Sequence, residues 1–98
     1  MVRINWTFQA KNDLKDIADY ISKDSKLYAR RQVLKIRNRT IILKSQYYSG
    51  RMVPEIQDEN IREIIEGNYR IIYRLVNENR IDILTIHHSS RDLGKRKI

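Results

Sequence analysis

The chain is predicted to be an α+β protein, a two-layer domain with an N-terminal strand and an antiparallel helical hairpin packed on a C-terminal antiparallel meander. Three observations carry that expectation. Apolar residues recur at helical spacing in two stretches, Ala10 to Ile21 and Ala29 to Tyr47. From Asn60 onward the period shifts to two. Between these halves, Gly50 and Pro54 punctuate the chain without any low-complexity linker.

Taken in order, Arg3 to Trp6 is expected as a short strand with Val2, Ile4 and Trp6 on one face. Thr7 can cap a helix whose apolar stripe is Ala10, Leu14, Ile17, Ala18 and Ile21, with Asp13, Asp16 and Asp19 alternating with Lys11 and Lys15 opposite it. After the polar break Ser22 to Ser25, Ser25 can cap a second helix from Lys26 to about Tyr47. Its stripe is Ala29, Val33, Ile36, Thr40, Leu43 and Tyr47. Two amphipathic helices on so short a link should fold back on each other. Pro54 lacks an N–H, which makes Arg51-Met52-Val53 an edge strand or a strand start. Ile61 to Glu66, Tyr69 to Val76 and Arg80 to His87, joined by Gly67-Asn68 and Asn77 to Asn79, read as two consecutive hairpins.

Ninety-eight residues suit a single domain, 1–98, with a short basic tail at 95–98 and room for one core but not for a large enclosed ligand cavity. The chain contains no cysteine, so it has no disulfide framework and no thiolate metal site. No apolar run approaches a membrane span and Met1 to Trp6 lacks a signal-peptide core, which points to a cytoplasmic protein with no membrane partner. The net charge of +8 is concentrated: Lys26, Arg30, Arg31, Lys35, Arg37, Arg39, Lys44 and Arg51 lie in an interval without one acidic residue. Such a field attracts polyanions or an acidic protein.

The groups best suited to chemistry gather at the last strand's end, His87-His88-Ser89-Ser90-Arg91. Alternation sends His87 and His88 to opposite faces, which disfavours a shared metal. One of them should join Arg70 on the sheet face away from the helices and serve there as a proton donor or acceptor. Arg70 in a central strand needs a carboxylate, a phosphate or solvent; pairing with Glu63 or Glu55 would simply fasten the sheet. Arg70, Arg91, Arg51, Arg62 and one histidine are candidates to converge on a phosphodiester, with Glu55 the nearest carboxylate. No phosphate-binding glycine loop, nucleophile elbow or carboxylate pair at metal-binding spacing is present, so no cofactor or metal is expected.

Gly50-Arg51-Met52-Val53-Pro54-Glu55, Ile61-Arg62-Glu63, Gly67 to Arg74, and Ile83 to His88 followed by Arg91-Asp92-Leu93 together resemble the RelE/ParE superfamily of toxins from bacterial type II toxin–antitoxin systems, over nearly the whole chain. The resemblance implies a basic toxin neutralised by a cognate antitoxin whose extended tail covers its working surface, in a hetero-oligomer. It also implies one of two activities: ParE-like inhibition of DNA gyrase, or RelE-like, metal-independent cutting of mRNA on the ribosome. Arg70 matches a strand arginine found in both branches. The C-terminal segment has no tyrosine, the edge strand is not lysine-rich, and His87-x-x-x-Arg91-Asp92-Leu93 with Arg62-Glu63 resembles the ParE branch. That branch is the expected one, with Arg30, Arg31, Lys35, Arg37, Arg51, Glu55, Arg62 and Arg74 as target or antitoxin contacts. In the nuclease alternative, Arg70 and Arg91 hold phosphate while His87 or His88 moves the proton. An interaction domain without toxicity is the third possibility.

Overall fold

The structure, a computed structural model, describes residues 2–90 and 93. Its elements run β1 (Arg3–Trp6), α1 (Phe8–Ser22), α2 (Lys26–Ile41), a short 3₁₀ turn (Ile42–Lys44), β2 (Arg51–Met52), β3 (Ile61–Glu66), β4 (Tyr69–Asn77) and β5 (Arg80–His88). The helices form one layer and a five-stranded sheet of order β1-β5-β4-β3-β2 forms the other. Neighbouring strands are antiparallel except β1, which pairs parallel with β5, Ile4 opposite Ile81 and Trp6 opposite Ile83.

Local chemistry accounts for the helices. The Thr7 hydroxyl accepts from the Ala10 N–H at 3.2 Å, and Ser25 does the same for Tyr28 at 3.1 Å, so each helix starts with a satisfied donor. α2 ends at Ile41 rather than near Tyr47, where the apolar stripe alone would take it. The run Thr40-Ile41-Ile42 is β-branched and weakens the helix. The Ser45 and Gln46 N–H groups then both converge on the Ile42 carbonyl. The tighter turn still delivers Leu43 to the core, whereas Tyr47 ends up exposed.

The main core lies between the layers. Ala10 and Leu14 from α1 and Ile36 and Leu43 from α2 and its extension meet Ile64, Ile71, Tyr73, Ile81, Ile83 and Ile86 from the sheet, with Val2, Ile4 and Trp6 alongside. Each fully buried large apolar side chain contributes about 1.5–3 kcal/mol. A charge at Ile83, which is fully buried, would break this layer.

The sheet's other face is not open, as its sequence pattern suggests, but partly roofed. Val53 and Ile56 from the β2–β3 connection join Ile61, Ile72, Leu84 and Leu93 in a second, smaller apolar cluster. That connection contains Gln57 at φ 57°, the left-handed conformation that few non-glycine residues adopt.

A bulge in β5 decides which side chains face which way. Ile72 pairs with Thr85 and Tyr73 with Ile83, leaving Leu84 without a partner. Unbroken alternation would keep residues 81, 83, 85 and 87 on the helix side. With one residue bulged, Ile86 takes over that side and His87 comes opposite Arg70.

Candidate functional site

Cross-strand neighbours project to the same side, so register alone places Arg51, Glu63, Arg70 and His87 on the roofed face. Arg51 is opposite Glu63 across β2 and β3, and Arg70 is opposite His87 across β4 and β5. Glu63 is 1% exposed and Arg70 8%, so both charges lie inside the protein.

Four side chains there form one ionic network. Arg70 donates from Nε to Glu63 Oε1 at 2.6 Å. Its two terminal nitrogens clasp Glu55 Oε2 and Oε1 at 2.7 and 2.8 Å. The other Glu63 oxygen accepts from Arg51 Nε at 2.6 Å. Two guanidinium groups thus neutralise two carboxylates. The Arg70 fork holds the Glu55 carboxyl down at about 2, mainly through its hydrogen bonds, and the same contact raises the Arg70 pKa further above its ordinary value. Glu55 is carried by the connection above the sheet, where the Ile56 and Gln57 N–H groups both donate to the Val53 carbonyl.

The phosphodiester set anticipated around Arg70 is only partly assembled. Arg51 and Arg70 are together, but the two are joined through Glu63. Arg62 points to the opposite face, where it donates to the Gly50 carbonyl at 2.9 Å and its guanidinium carbon stands 5.2 Å from the centre of the Tyr48 ring. Arg91 lies outside the described residues. His87 is buried, whereas His88 pairs with Tyr69 across the strands, its ring edge-on at 5.3 Å. The Ser90 hydroxyl is 2.6 Å from His88 Nδ1. The two imidazoles therefore occupy different environments.

The contact residues expected from the charge pattern also divide. Arg30, Arg31, Lys35 and Arg37 are exposed on α2, in the helical layer. Arg74 is exposed on β4 opposite Ile61 and Asp82. Asp82 is held below its usual range by Arg80, whose guanidinium reaches it at 2.8 and 3.1 Å, and by the Asn5 amide at 3.1 Å.

Two features escape a reading of charge alone. Asp13, in the sequence an ordinary member of α1's polar side, accepts from the Ile86 N–H at 3.1 Å and from the Thr85 hydroxyl. It ties α1 to β5 beyond the end of β1, and its spacing gives no signal of this. Between α1 and α2 lies an open groove of 560 Å³ over β1. Its floor includes Ile4, Trp6, Leu14 and Val33, and its charged lining is Lys11, Lys15, Arg37 and Lys44. Separate apolar and basic positions are visible in the sequence; the groove that gathers them is not.

Comparison with known proteins agrees with this architecture. The family model described as the ParE toxin of the type II toxin–antitoxin system parDE matches residues 4–93. Toxin RelE2 of Caulobacter vibrioides is 29% identical over 91 residues, spanning 93% of this chain and 99% of that toxin. The solved structure of a chromosomal ParDE toxin–antitoxin system from P. aeruginosa superposes with a TM-score of 0.73 at 25% identity, covering 90% of this chain and 96% of that one. With its sheet, hairpin and nearly full length accounted for in this way, the chain belongs to the ParE toxin family of type II toxin–antitoxin systems.

Proposed function

We propose that this toxin stops growth by binding a macromolecular target, DNA gyrase, and not by cutting mRNA. The observation that carries the proposal is the commitment of Arg70. A guanidinium that is to stabilise a phosphoryl transition state must present free N–H donors to the developing charge. Here three of the five N–H donors, one on Nε and one on each terminal nitrogen, are bonded to Glu63 and Glu55, and only 10% of the side chain is exposed. The exposed cations of α2, Arg30, Arg31, Lys35 and Arg37, supply a separate field for steering onto an acidic surface.

A cognate antitoxin neutralises the toxin in a hetero-oligomer. The groove between the helices fits part of such a partner: an amphipathic acidic segment would lay its apolar side on Trp6, Leu14 and Val33 and its carboxylates against Lys11, Lys15, Arg37 and Lys44.

The test is expression of the toxin without its antitoxin. Gyrase-linked DNA breaks and a DNA-damage response should appear while translation continues. Translation arrest with mRNA cut on the ribosome would overturn the proposal in favour of the endoribonuclease. Normal growth would overturn both.

A further inference from the structure

The Arg70 network has a chemical peculiarity beyond its part in the fold. A carboxylate gripped by both terminal nitrogens of an arginine takes the geometry in which the same fork grips two oxygens of a phosphate. Glu63 and Glu55 contribute unequally to that grip. Glu63 is fixed within β3, its side chain has no exposed surface, and it is shared with Arg51. Glu55 comes from a connection outside the sheet, and 38% of its side chain is exposed above an Arg70 side chain that is only 10% exposed. The connection also carries the left-handed Gln57. Backbone held in such a conformation recurs where a segment is clamped by its surroundings.

Charge accounting leads to the same place. Arg51 and Arg70 are balanced by Glu63 and Glu55. Without Glu55, the cluster has one excess positive charge and two unoccupied guanidinium nitrogens facing outward. A buried cation in that state takes up an anion from solution.

We propose that Arg70 and Arg51 form an anion site of phosphate-binding chemistry, and that Glu55 is its resident occupant, the residue that keeps phosphate and polyphosphate chains out. Glu55 is then a specificity-determining residue. It makes the sheet face of this toxin indifferent to nucleic-acid backbones and leaves binding to the exposed cations elsewhere. The proposal does not depend on gyrase being the target, because it concerns what the site excludes.

Thermal melts of wild type and Glu55→Ala, each titrated with inorganic phosphate against sodium chloride at matched ionic strength, test it. An anion that binds only the folded state raises the melting temperature with its concentration. Phosphate should stabilise Glu55→Ala specifically and leave wild type unmoved, with an affinity for the variant at least about tenfold tighter. NMR of the Arg70 guanidinium localises the effect, since its terminal N–H signals should shift with phosphate in the variant alone. If Glu55→Ala does not fold, Glu55→Gln keeps the side-chain volume while removing the charge, and the same gain is expected. A variant that folds but ignores phosphate overturns the proposal. Equal stabilisation of wild type, or a response that leaves the Arg70 signals in place, overturns it too. Loss or retention of toxicity in cells is a separate readout and bears only on the target.

Discussion

Replacing Gly50 by alanine tests whether the turn before β2 is set by close packing. A Cβ at Gly50 would stand 2.6 Å from the Glu63 carbonyl oxygen and 2.9 Å from a ring carbon of Tyr73, and it would also overlap the Tyr73 hydroxyl. Tyr73 is fully buried, so its ring has nowhere to retreat. Its hydroxyl accepts from the Gly50 N–H at 3.0 Å and donates to the Tyr47 carbonyl at 3.0 Å. Overpacking of this kind costs about 1–3 kcal/mol. Disturbing the buried hydrogen bonds adds roughly 1 kcal/mol. Gly50→Ala should therefore lose about 2–4 kcal/mol, read by urea unfolding, or about 10–25 °C in melting temperature for a domain of this size. Tyr73→Phe alone should cost about 1–3 kcal/mol by stranding the Gly50 N–H and the Tyr47 carbonyl. In the double variant the hydroxyl overlap is gone, so the two losses should fall short of additivity by about 1 kcal/mol. A Gly50→Ala protein within about 0.5 kcal/mol of wild type would refute the reasoning, because surface changes usually stay within that range. Strict additivity in the double variant would refute the role given to the hydroxyl.

Other consequences follow from the charges and from the fastening of α1. Because Arg70 lowers the folded-state pKa of Glu55 from 4.5 to about 2, this carboxylate stabilises the fold above its unfolded pKa and loses that effect as pH falls between those values. Urea midpoints measured from pH 5 to pH 2 should decline less steeply in Glu55→Gln, and an unchanged slope would contradict the assignment. Arg51→Ala should cost under about 1 kcal/mol, because its side chain is 65% exposed. Arg70→Ala should cost about 3–5 kcal/mol by leaving Glu63 buried without its buried cation, and equal losses for the two would refute the distinction. Asp13→Ala should cost about 1–3 kcal/mol and accelerate hydrogen exchange at the Ile86 amide above all others in β5; uniform exchange along the strand would refute the tie.

What sequence could reveal here depended on the range of each interaction. Caps at Thr7 and Ser25, the stripe from Ala10 to Ile21 and the three meander strands are set by neighbours a few residues away, so periodicity exposes them. The parallel pairing of β1 with β5 joins residues 77 apart, as Asn5 and Asp82 illustrate, and no local pattern encodes it. The bulge at Leu84 has no glycine or proline to announce it, yet it determines that His87, not His88, faces Arg70. The site behaved likewise. That Arg70 needed a counter-charge, and that Glu55 and Glu63 were candidates, followed from the cost of burying a guanidinium. That both would bind it at once, and that Arg62 would turn away, required the register.

The place of β5 in the sheet also bears on how the toxin comes into being. The strand lies between β1 and β4, although it is the last strand of the described chain. During synthesis β1 emerges early but has no strand to pair with until Arg80 and the residues after it arrive, and pairing across so long a separation is slow. A chain interrupted before β5 would lack Ile81, Ile83 and Ile86 from its core and leave both β1 and β4 unpaired along those edges. Such a fragment cannot be a smaller toxin. The fold is therefore completed in one late step, and a frameshift or stop upstream of β5 denies the protein much of its core.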